Sequence, residues 1–485
     1  MRYTVIALDY DGTIAHDGVV PPYVLEGLRR LKATGRKLLL VTGRELDELL
    51  GIFPEIGIFD RVVAENGALL YRPESGERKA LGDPPPEEFL ACLRANGMPL
   101  SVGHTIVATI RPHETFVLAT IANLGLEHQV IFNKGAVMVL PPGCNKASGL
   151  KHALAELGLS PRNVVAAGDG ENDHALLEMA EYSVAVANAI PTLKEAADRV
   201  TENHHGDGVL EIVAGLIEHD LAQMPPRKPR RTLCLGKDEN GADVVLPRRR
   251  ASILVSGEPG GTHEFSIGLL ERLCKRGYQF CVLDTRGAYT QFKAAVVFGT
   301  LDNPPAVEEV LTAIEKPDVQ TVVCLAAVPE TERRAFVDRL LVPLRKLREA
   351  TGRPHWILVD EAADLLAASA HAEDSPSAAA ENTIYVSADP AALAPDVLEA
   401  VHGVVACGHG AGAMIDAFAA AVSWGKPALP QRPAHEHEAM VWFRRSERPV
   451  ALVEIARVKA DSTSPSPTSP SREKSAEVGR VLRRA

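Results

Sequence analysis

Short apolar runs alternate with stretches of helical spacing along the first part of the chain. The apolar run at 3–8 is followed by Leu and Val at helical spacing over 22–34, and a second apolar run covers 37–41. The same rhythm returns later as a helix, a strand and a helix, at 146–157, 163–167 and 172–180. Strands that alternate with helices predict an α/β fold with a parallel sheet.

A different pattern interrupts this rhythm at about 82–142. It predicts the order helix, two strands, helix, two strands, over 87–96, 100–110, 113–124 and 128–140. This order is typical of a small α+β unit inserted into the larger sheet. Five polar side chains of this unit could contact a ligand, but a position on the solvated surface is the favoured interpretation for each. They are His104, Arg111, His113, Asn133 and Lys134.

A second α/β series follows the Pro- and Arg-rich stretch at 223–231, which predicts a linker. Its expected strands lie at 252–256, 279–283, 321–325, 355–359 and 383–387, with a helix at 265–276. We therefore expect one domain at 1–222 and a second at 232–458. A Ser/Pro-rich segment at 459–485 is predicted to be a disordered tail.

Composition excludes several classes of protein. The 485 residues include 52 Lys and Arg against 63 Asp and Glu, and the net charge of −11 disfavours a protein that coats nucleic acid. No apolar run approaches the ~20 residues of a membrane helix, and the first residues do not resemble a signal peptide. The 7 cysteines include no CxxC pair, which fits a reducing compartment. We expect a cytoplasmic protein without a membrane partner.

The strongest chemical signal is Asp9-Tyr10-Asp11-Gly12-Thr13 at the end of the first predicted strand. Alone, this motif could be an Asx turn. Three further polar clusters end strands or begin a helix later in the chain: Thr42-Gly43-Arg44, Lys146, and Gly168-Asp169-Gly170-Glu171-Asn172-Asp173. Because α/β enzymes bind ligands at the carboxyl ends of parallel strands, we expect the clusters to converge on one edge.

These residue types together suit phosphoryl transfer. One carboxylate can attack phosphorus, and a second can protonate the leaving alkoxide and then deprotonate water. Packed carboxylates repel one another, so a divalent cation is needed, and Mg²⁺ prefers a few carboxylates, waters and phosphate oxygens. A Thr hydroxyl and a Lys ammonium can stabilise charge on the transferring oxygens.

The same motifs carry a family resemblance. Residues 1–222 resemble the haloacid dehalogenase superfamily, in the Cof-type branch (subclass IIB) of small-metabolite phosphatases. The stretch Ala64-Glu65-Asn66-Gly67-Ala68 is also frequent in that branch. The short insertion is similar to the cap of archaeal-type phosphoglycolate phosphatases and of some sugar-phosphate phosphatases. The resemblance implies a Rossmann-like core with a cap, Mg²⁺ as cofactor and a small phosphorylated metabolite as substrate.

The resemblance also implies a role for each matching residue. Asp9 would be the nucleophile, and Asp11 the general acid and base. The metal would be held by Asp9, Asp11 and Asp169, with support from Asp173. Catalytic contacts with the phosphoryl group would come from Thr42 and Lys146, and further substrate contacts from Gly43, Arg44 and Asn172.

The segment 257–264, Gly-Glu-Pro-Gly-Gly-Thr-His-Glu, lies between a predicted strand and a predicted helix, where phosphate-binding loops occur. Against the pattern G-x-x-x-x-G-K-[ST], Thr262 replaces the second Gly, His263 the Lys and Glu264 the Ser or Thr. These replacements oppose triphosphate binding. An acidic pair ends a later strand, so residues 252–429 resemble a degenerate P-loop ATPase of the conjugation and translocation type. The candidate nucleotide contacts are Gly257, Gly260, Gly261, Asp360 and Glu361.

Two functions of different classes stay open. The first is a Mg²⁺-dependent phosphomonoester hydrolase that acts through an aspartyl-phosphate on a small metabolite such as phosphoglycolate or a sugar phosphate. The alternative is a regulatory protein that senses a phosphorylated ligand or binds a nucleotide, and whose P-loop-like half binds a partner. The intact acidic motifs favour the first, and the altered loop argues against a motor ATPase.

Overall fold

A computed structural model describes residues 1–227, 232–246, 251–366, 381–444 and 449–455. The predicted tail at 459–485 lies outside the described residues, as does part of the predicted linker at 223–231. Among the helices of the described ranges, none combines the length and the apolar character that crossing a membrane requires.

In the first unit, strands and helices alternate as the apolar pattern predicts. Its elements are β1 Val5–Leu8, α1 Pro22–Ala33, β2 Lys37–Val41, α2 Leu46–Ile52, β3 Arg61–Ala64, β4 Leu69–Arg72, β5 Glu77–Ala80, α3 Glu87–Ala95, β6 Ser101–Val102, β7 Val107–Ile110, α4 Glu114–Asn123, β8 Gln129–Asn133, β9 Ala136–Leu140, α5 Lys146–Glu156, β10 Val164–Gly168, α6 His174–Met179, β11 Tyr182–Ala185, α7 Pro191–Ala196, β12 Arg199–Val200 and α8 His205–His219.

The core of this unit is an eight-stranded sheet in the order β12-β11-β10-β1-β2-β3-β4-β5. Neighbours from β12 to β3 run parallel, and β4 and β5 extend one edge antiparallel. All residues of β1 are buried, as expected for a strand covered on both faces. The carboxyl ends of β1, β2 and β10 therefore lie side by side, and the predicted Rossmann-like parallel core is confirmed.

The insertion between β5 and α5 forms a separate layer, which we call the cap. Its four strands form an antiparallel sheet in the order β6-β7-β9-β8. Apolar side chains of α3 and α4, including Phe89 and Val117, pack with Val107 and Val139 of the sheet in a small core of their own. The element order is the predicted one, and the sheet face opposite the helices is left to cover the core.

The second unit is also α/β. Its elements are β13 Cys234–Asp238, β14 Asp243–Val245, β15 Ser252–Gly257, α9 Pro259–Lys275, β16 Phe280–Asp284, β17 Ala295–Phe298, α10 Val307–Ile314, β18 Gln320–Cys324, α11 Glu330–Thr351, β19 Trp356–Val359, α12 Ala362–Leu365, β20 Thr383–Val386, α13 Pro395–Ala400, β21 Val401–Cys407, α14 Ala411–Ala421, β22 Glu438–Phe443 and β23 Ala451–Glu454.

These strands form one mixed sheet in the order β14-β13-β23-β22-β21-β15-β20-β19-β16-β18-β17. The strands from β21 to β17 run parallel. The remaining four extend the other side antiparallel. Five of the seven parallel strands were predicted from apolar runs, whereas β17, β21 and the antiparallel extension were not.

The segment predicted as a phosphate-binding loop is mostly helix. β15 ends at Gly257 and α9 begins at Pro259, so only Glu258 lies between strand and helix. Proline favours a helix start at this position, because an N–H at the first helical position has no acceptor within the helix and its absence costs nothing. Gly260 and Gly261 lie in the first turn of α9, and this connection leaves no room for a loop that wraps a phosphate.

A buried carboxylate joins the two units. Glu181, which has no exposed surface, accepts a hydrogen bond from Arg162 at 3.3 Å and from the Tyr278 hydroxyl at 2.9 Å. Nearby, Arg353 of the second unit donates to the backbone oxygen of Gly158 at 2.7 Å. Charged and polar contacts at full burial need both partners in place, so they fix the two sheets against each other.

Candidate active site

Asp9 is the first residue after β1, which places its buried carboxylate at the centre of the sheet edge. Lys146, the first residue of α5, donates from Nζ to Asp9 Oδ1 at 2.6 Å and to Asp173 Oδ1 at 2.7 Å. The Thr13 hydroxyl donates to Asp9 Oδ2 at 3.2 Å. Lys146 is only 1% exposed, so one desolvated ammonium links carboxylates from two different loops.

The loop after β10 supplies the other carboxylates. Asp173 Oδ2 accepts the backbone N–H groups of Asp169 at 3.0 Å and of Gly170 at 2.9 Å. Asp173 therefore holds the turn that presents Asp169. Carboxylate oxygens of Asp9, Asp169 and Asp173 all lie within 4.8 Å of one another.

Burial and mutual repulsion shift the ionisation of these groups. The pKa of Asp9 is raised to about 7, mainly by burial and then by the neighbouring Asp173 carboxylate, while Lys146 opposes both. Burial also raises the pKa of Asp169. Burial lowers the pKa of Lys146, but the carboxylates of Asp173 and Asp9 outweigh it, so the pKa is raised and the ammonium stays charged.

This donor set fits the predicted Mg²⁺. Hard oxygen donors crowded at a buried edge are the ligands that Mg²⁺ prefers, and a divalent charge relieves their repulsion. The carboxylates of Asp9 and Asp169 and the backbone oxygen of Asp11 are the groups that would hold the ion. The oxygens of Asp173 already accept hydrogen bonds from Lys146 and the backbone, which suits a supporting position.

Asp11 lies at the mouth of the site. The Arg44 guanidinium donates to both of its oxygens, at 2.6 and 2.7 Å, and also pairs with Glu48. A bidentate pair of this kind fixes orientation as well as charge. The backbone N–H of Arg44 donates to the Thr42 hydroxyl at 3.1 Å, which keeps Arg44 next to the end of β2.

The remaining predicted residues meet at the same edge. Thr42 follows β2 and is buried. The Asn172 side chain donates to Asn66 Oδ1 at 2.7 Å. A Cβ on Gly43 would lie 3.2 Å from polar atoms of both amides, so the three loops are in close contact. The structure thus brings together the whole predicted set of the first unit: Asp9, Asp11, Thr42, Gly43, Arg44, Lys146, Asp169, Asn172 and Asp173.

The cap adds a cation that the sequence reasoning assigned to the solvated surface. Lys134, in the turn between β8 and β9, donates from Nζ to Asp169 Oδ2 at 2.8 Å and to the backbone oxygen of Asp11 at 3.1 Å. Lys134 is thus exposed, as predicted, with 46% of its side-chain surface open to solvent, but it also contacts the site. The available signal was Asn-Lys-Gly at a hairpin turn, which presents its side chain at the tip of the cap.

A second missed residue anchors the cap. Glu65 has no exposed surface, and its carboxylate accepts the backbone N–H groups of His104 at 3.0 Å, Thr105 at 2.8 Å and Ile106 at 3.3 Å. The Thr105 hydroxyl donates to the same carboxylate at 2.7 Å. The stretch at 64–68 entered the sequence analysis only through the family resemblance, and this role explains why an acid stands there.

A cavity of about 400 Å³ opens beside Asp11. Its polar side chains come from the loop after β1, the end of β2, the cap and the start of α8: Asp11, His16, Asp17, Arg44, Lys134 and His205. Cavities that hold small metabolites measure roughly 300–1,000 Å³. The cavity therefore has room for the leaving-group part of a small substrate.

Comparison with known proteins agrees with this geometry. The sequence model of the haloacid dehalogenase-like hydrolases matches residues 6–80 and 104–213. The phosphoglycolate phosphatase of Methanothermobacter thermautotrophicus is 33% identical over 219 residues, which cover 43% of this chain and 96% of the relative. The chain belongs to the haloacid dehalogenase-like hydrolases. The predicted enzyme class, a phosphatase of this superfamily, is confirmed.

Two further similar proteins also match less than half of this haloacid dehalogenase-like hydrolase. The phosphoglycolate phosphatase of Haloarcula marismortui is 32% identical over 225 residues, which are 43% of this chain and 95% of the relative. A crystal structure of a haloacid dehalogenase-like hydrolase from Bacteroides thetaiotaomicron covers 44% of this chain and 99% of its own, at 20% identity and a TM-score of 0.39. The family match ends within the first unit.

The hydrolase carries a second acidic group at the edge of its other sheet. Asp360 follows β19, and Arg286 lies 3.8 Å from Asp360 and 2.9 Å from Glu361. Burial raises the pKa of Asp360 to about 7. β20 separates β19 from β15, so Gly257 and Asp360 end strands that are not neighbours. The predicted resemblance of this unit to a P-loop ATPase stays a prediction.

Proposed function

We propose that this hydrolase is a Mg²⁺-dependent phosphomonoesterase that acts on a small phosphorylated metabolite, phosphoglycolate or a sugar phosphate, through an aspartyl-phosphate at Asp9. One observation carries the proposal. Asp9 stands at the centre of the sheet edge, bonded to the desolvated ammonium of Lys146 and crowded by the carboxylates of Asp169 and Asp173. A nucleophile, a fixed cation and a set of metal ligands thus share one position.

In the first step, the Asp9 carboxylate attacks phosphorus. A bond forms between an Asp9 oxygen and phosphorus, and the bond from phosphorus to the leaving oxygen breaks. Lys146 and the Thr42 hydroxyl bind the oxygens of the transferring group, where charge develops. When bound, Mg²⁺ supplies positive charge that offsets the carboxylates and the phosphate.

Asp11 moves the protons. The leaving alkoxide takes a proton from Asp11, and in the second step a water gives its proton to Asp11 and attacks phosphorus, which releases inorganic phosphate and the Asp9 carboxylate. The Arg44 pair holds Asp11 at the cavity mouth, which is the side where the leaving group departs.

The substrate class has two supports. The relatives named above are phosphoglycolate phosphatases at 33% and 32% identity. The cap reaches Asp169 and Asp11 through Lys134, so the covered space suits a small molecule. Both supports favour a short phosphorylated acid or a small sugar phosphate over a polymer.

Release of inorganic phosphate tests the proposal. The purified chain is incubated with 2-phosphoglycolate or a panel of sugar phosphates, with Mg²⁺ or with a chelator, next to the Asp9→Asn variant. We expect release that needs Mg²⁺ and is lost in Asp9→Asn. Release that persists in Asp9→Asn would contradict the role of Asp9, and no release from any ester would contradict the phosphatase function.

The regulatory alternative has less support. Nucleotide binding at the second unit would use Gly257, Gly260 and Gly261, but the last two lie in the first turn of α9. With only Glu258 between strand and helix, no loop encloses a phosphate there, and Thr262, His263 and Glu264 replace the Gly, Lys and Ser or Thr of the pattern.

A further inference from the structure

Lys134 is the point where the cap touches the reacting centre. Its ammonium contacts Asp169 Oδ2 and the backbone oxygen of Asp11, and a Cβ on Gly12 would lie 2.7 Å from it. Its side chain nevertheless keeps 46% of its surface exposed, on the side of the cavity beside Asp11. One long side chain therefore spans from the metal-ligand set to the space for the leaving group.

The present partners of Lys134 are groups that a divalent ion also needs. An ammonium has three donors and no acceptor, so it cannot share the Asp169 carboxylate and the Asp11 oxygen with a cation at close range without repulsion. In the metal-loaded enzyme the ammonium must turn to another acceptor. Lys134 lines the cavity beside Asp11, so the cavity is the space open to the turned side chain.

The charges of the cavity lining indicate what that acceptor is. Arg44 is already committed to Asp11 and Glu48, so its charge is balanced. His205 Nδ1 lies 2.9 Å from the Gly12 backbone oxygen, which occupies one of its two ring nitrogens. Asp17, the other carboxylate of the lining besides Asp11, lies 3.8 Å from the His16 ring and is 90% exposed, so solvent screens its charge. Once turned, Lys134 is a cation next to Asp11 that only this screened carboxylate could balance.

We infer that Lys134 is a specificity-determining residue that binds a carboxylate on the leaving group, so that this hydrolase prefers phosphate esters of small hydroxy acids to esters of neutral alcohols. The inference rests on the proposed function, and it chooses between the two substrate classes named there. The phosphoryl group sits at Asp9, the leaving oxygen faces Asp11, and the carboxylate extends into the cavity toward Lys134.

A matched pair of substrates tests the inference. 2-Phosphoglycolate and ethyl phosphate have nearly the same size, but only the first carries a carboxylate. We expect Lys134→Met to lower the ratio of the two kcat/KM values, measured at saturating Mg²⁺, on the order of 10- to 100-fold, because a hydrogen-bonded charge pair is lost. We expect Lys134→Arg to restore part of the ratio. The control is Arg94→Met, which removes a cap cation that pairs with Glu87 on α3.

An unchanged ratio in Lys134→Met, or a similar fall in Arg94→Met, would overturn the inference. Equal losses on both esters would also overturn it, since they would assign Lys134 to the common phosphoryl site.

A binding measurement separates this inference from the proposed function. In the Asp9→Asn background, the dissociation constants of both esters are measured by calorimetry with and without Lys134→Met. A loss confined to 2-phosphoglycolate supports the inference even if the wild type hydrolyses neither ester, in which case only the proposed function fails. Equal affinity for both esters, or binding of neither, would overturn the inference while hydrolysis in the wild type could still stand.

Discussion

Each of the two sheets ends in a buried aspartate whose pKa burial raises to about 7, Asp9 in the first and Asp360 in the second. Their surroundings differ. Asp9 contacts a buried ammonium at 2.6 Å, whereas the guanidinium of Arg286 lies 3.8 Å from Asp360 and is 48% exposed. The two edges therefore share an aspartate with a raised pKa and differ in whether a buried cation contacts it.

The loops explain the difference. After β1, residues 9–21 precede α1, and this length holds the proposed nucleophile Asp9, the proposed acid Asp11 and Gly12 at the edge. After β15, one residue precedes α9. The carboxylate of Asp284, at the end of β16, accepts hydrogen bonds from four backbone N–H groups of the residues that follow it. At the second edge, this carboxylate therefore stabilises the loop after β16.

The largest expected effect comes from Lys146→Met, which removes the buried ammonium from the edge of the first sheet. Removal of the ammonium leaves Asp9 and Asp173 buried without a counter-charge, which costs about 3–5 kcal/mol of unfolding free energy. Phosphate release should fall on the order of 10²–10³-fold. Urea unfolding measures the loss of unfolding free energy, and the phosphate assay measures the fall in the rate of phosphate release. Arg286→Met, the matched change at the second edge, should keep the wild-type rate; a wild-type rate in Lys146→Met would contradict the comparison.

Two glycines in a backbone conformation that favours glycine give a sharper contrast. Gly12 has φ +83°, and a Cβ there would lie 2.2 Å from Asp169 Oδ2; Gly257 has φ +133°, and its Cβ would lie 2.3 Å from the Cys407 oxygen. Alanine at either position should cost about 1–3 kcal/mol through strain. Only Gly12→Ala should also abolish phosphate release, since it displaces a metal ligand. Loss of activity in a folded Gly257→Ala variant would show that the second edge takes part.

A smaller effect is expected where the cap meets the core. In Glu65→Gln, an amide N–H would face backbone N–H groups that now donate to a carboxylate, at a cost of about 1–3 kcal/mol. Hydrogen exchange within the group His104, Thr105 and Ile106 should become faster, because an N–H donor replaces one of the two oxygens that accept these N–H groups. Glu77→Gln, on the exposed strand β5, is the control and should leave exchange at these three residues as in wild type. Unchanged exchange in Glu65→Gln would mean that the cap has another anchor.

The smallest effect concerns the pH dependence of the second edge. Folded Asp360 keeps its proton up to about pH 7, whereas the unfolded chain loses it near the ordinary aspartate pKa. Between these two pKa values the stability contributed by this group falls as pH rises. Asp360→Asn should therefore raise the unfolding free energy at pH 8 by about 1–3 kcal/mol and change little at pH 4.

The control for this pH effect is Asp364→Asn, an exposed acid on α12. It should follow the wild-type pH profile, measured as thermal unfolding across the range. The same profile in Asp360→Asn as in wild type would show that Asp360 does not carry the raised pKa.

The first edge could be predicted from sequence because each of its loops follows a buried parallel strand. Topology then places Asp9, Thr42 and Asp169 together without knowledge of any contact. The bidentate contact between Arg44 and Asp11 could not be predicted, since it depends on the path of two loops in space. The same holds for Lys134, which lies 123 residues from Asp11 and reaches it only through the placement of the cap.

The second unit was predicted less completely, for local reasons. Gly260 and Gly261 are poor helix formers, so the sequence predicts a loop at this segment. In the structure, Pro259 occupies the first helical position and a helix begins there. The pairing of β21 with β15 and of β23 with β13, and the buried contact of Tyr278 with Glu181, join partners far apart in the chain. Apolar periodicity finds elements, but it does not report which of them pair.

Trapping of the covalent intermediate tests the central claim most directly. The wild type is mixed with 2-phosphoglycolate and Mg²⁺, quenched in acid within one turnover, digested and mapped by mass spectrometry, next to Asp9→Asn and Asp360→Asn. We expect one phosphoryl group on Asp9 in the wild type and in Asp360→Asn, and none in Asp9→Asn. A phosphoryl group on Asp11 or in the second unit, or turnover in Asp9→Asn, would contradict the assignment of Asp9 as the nucleophile.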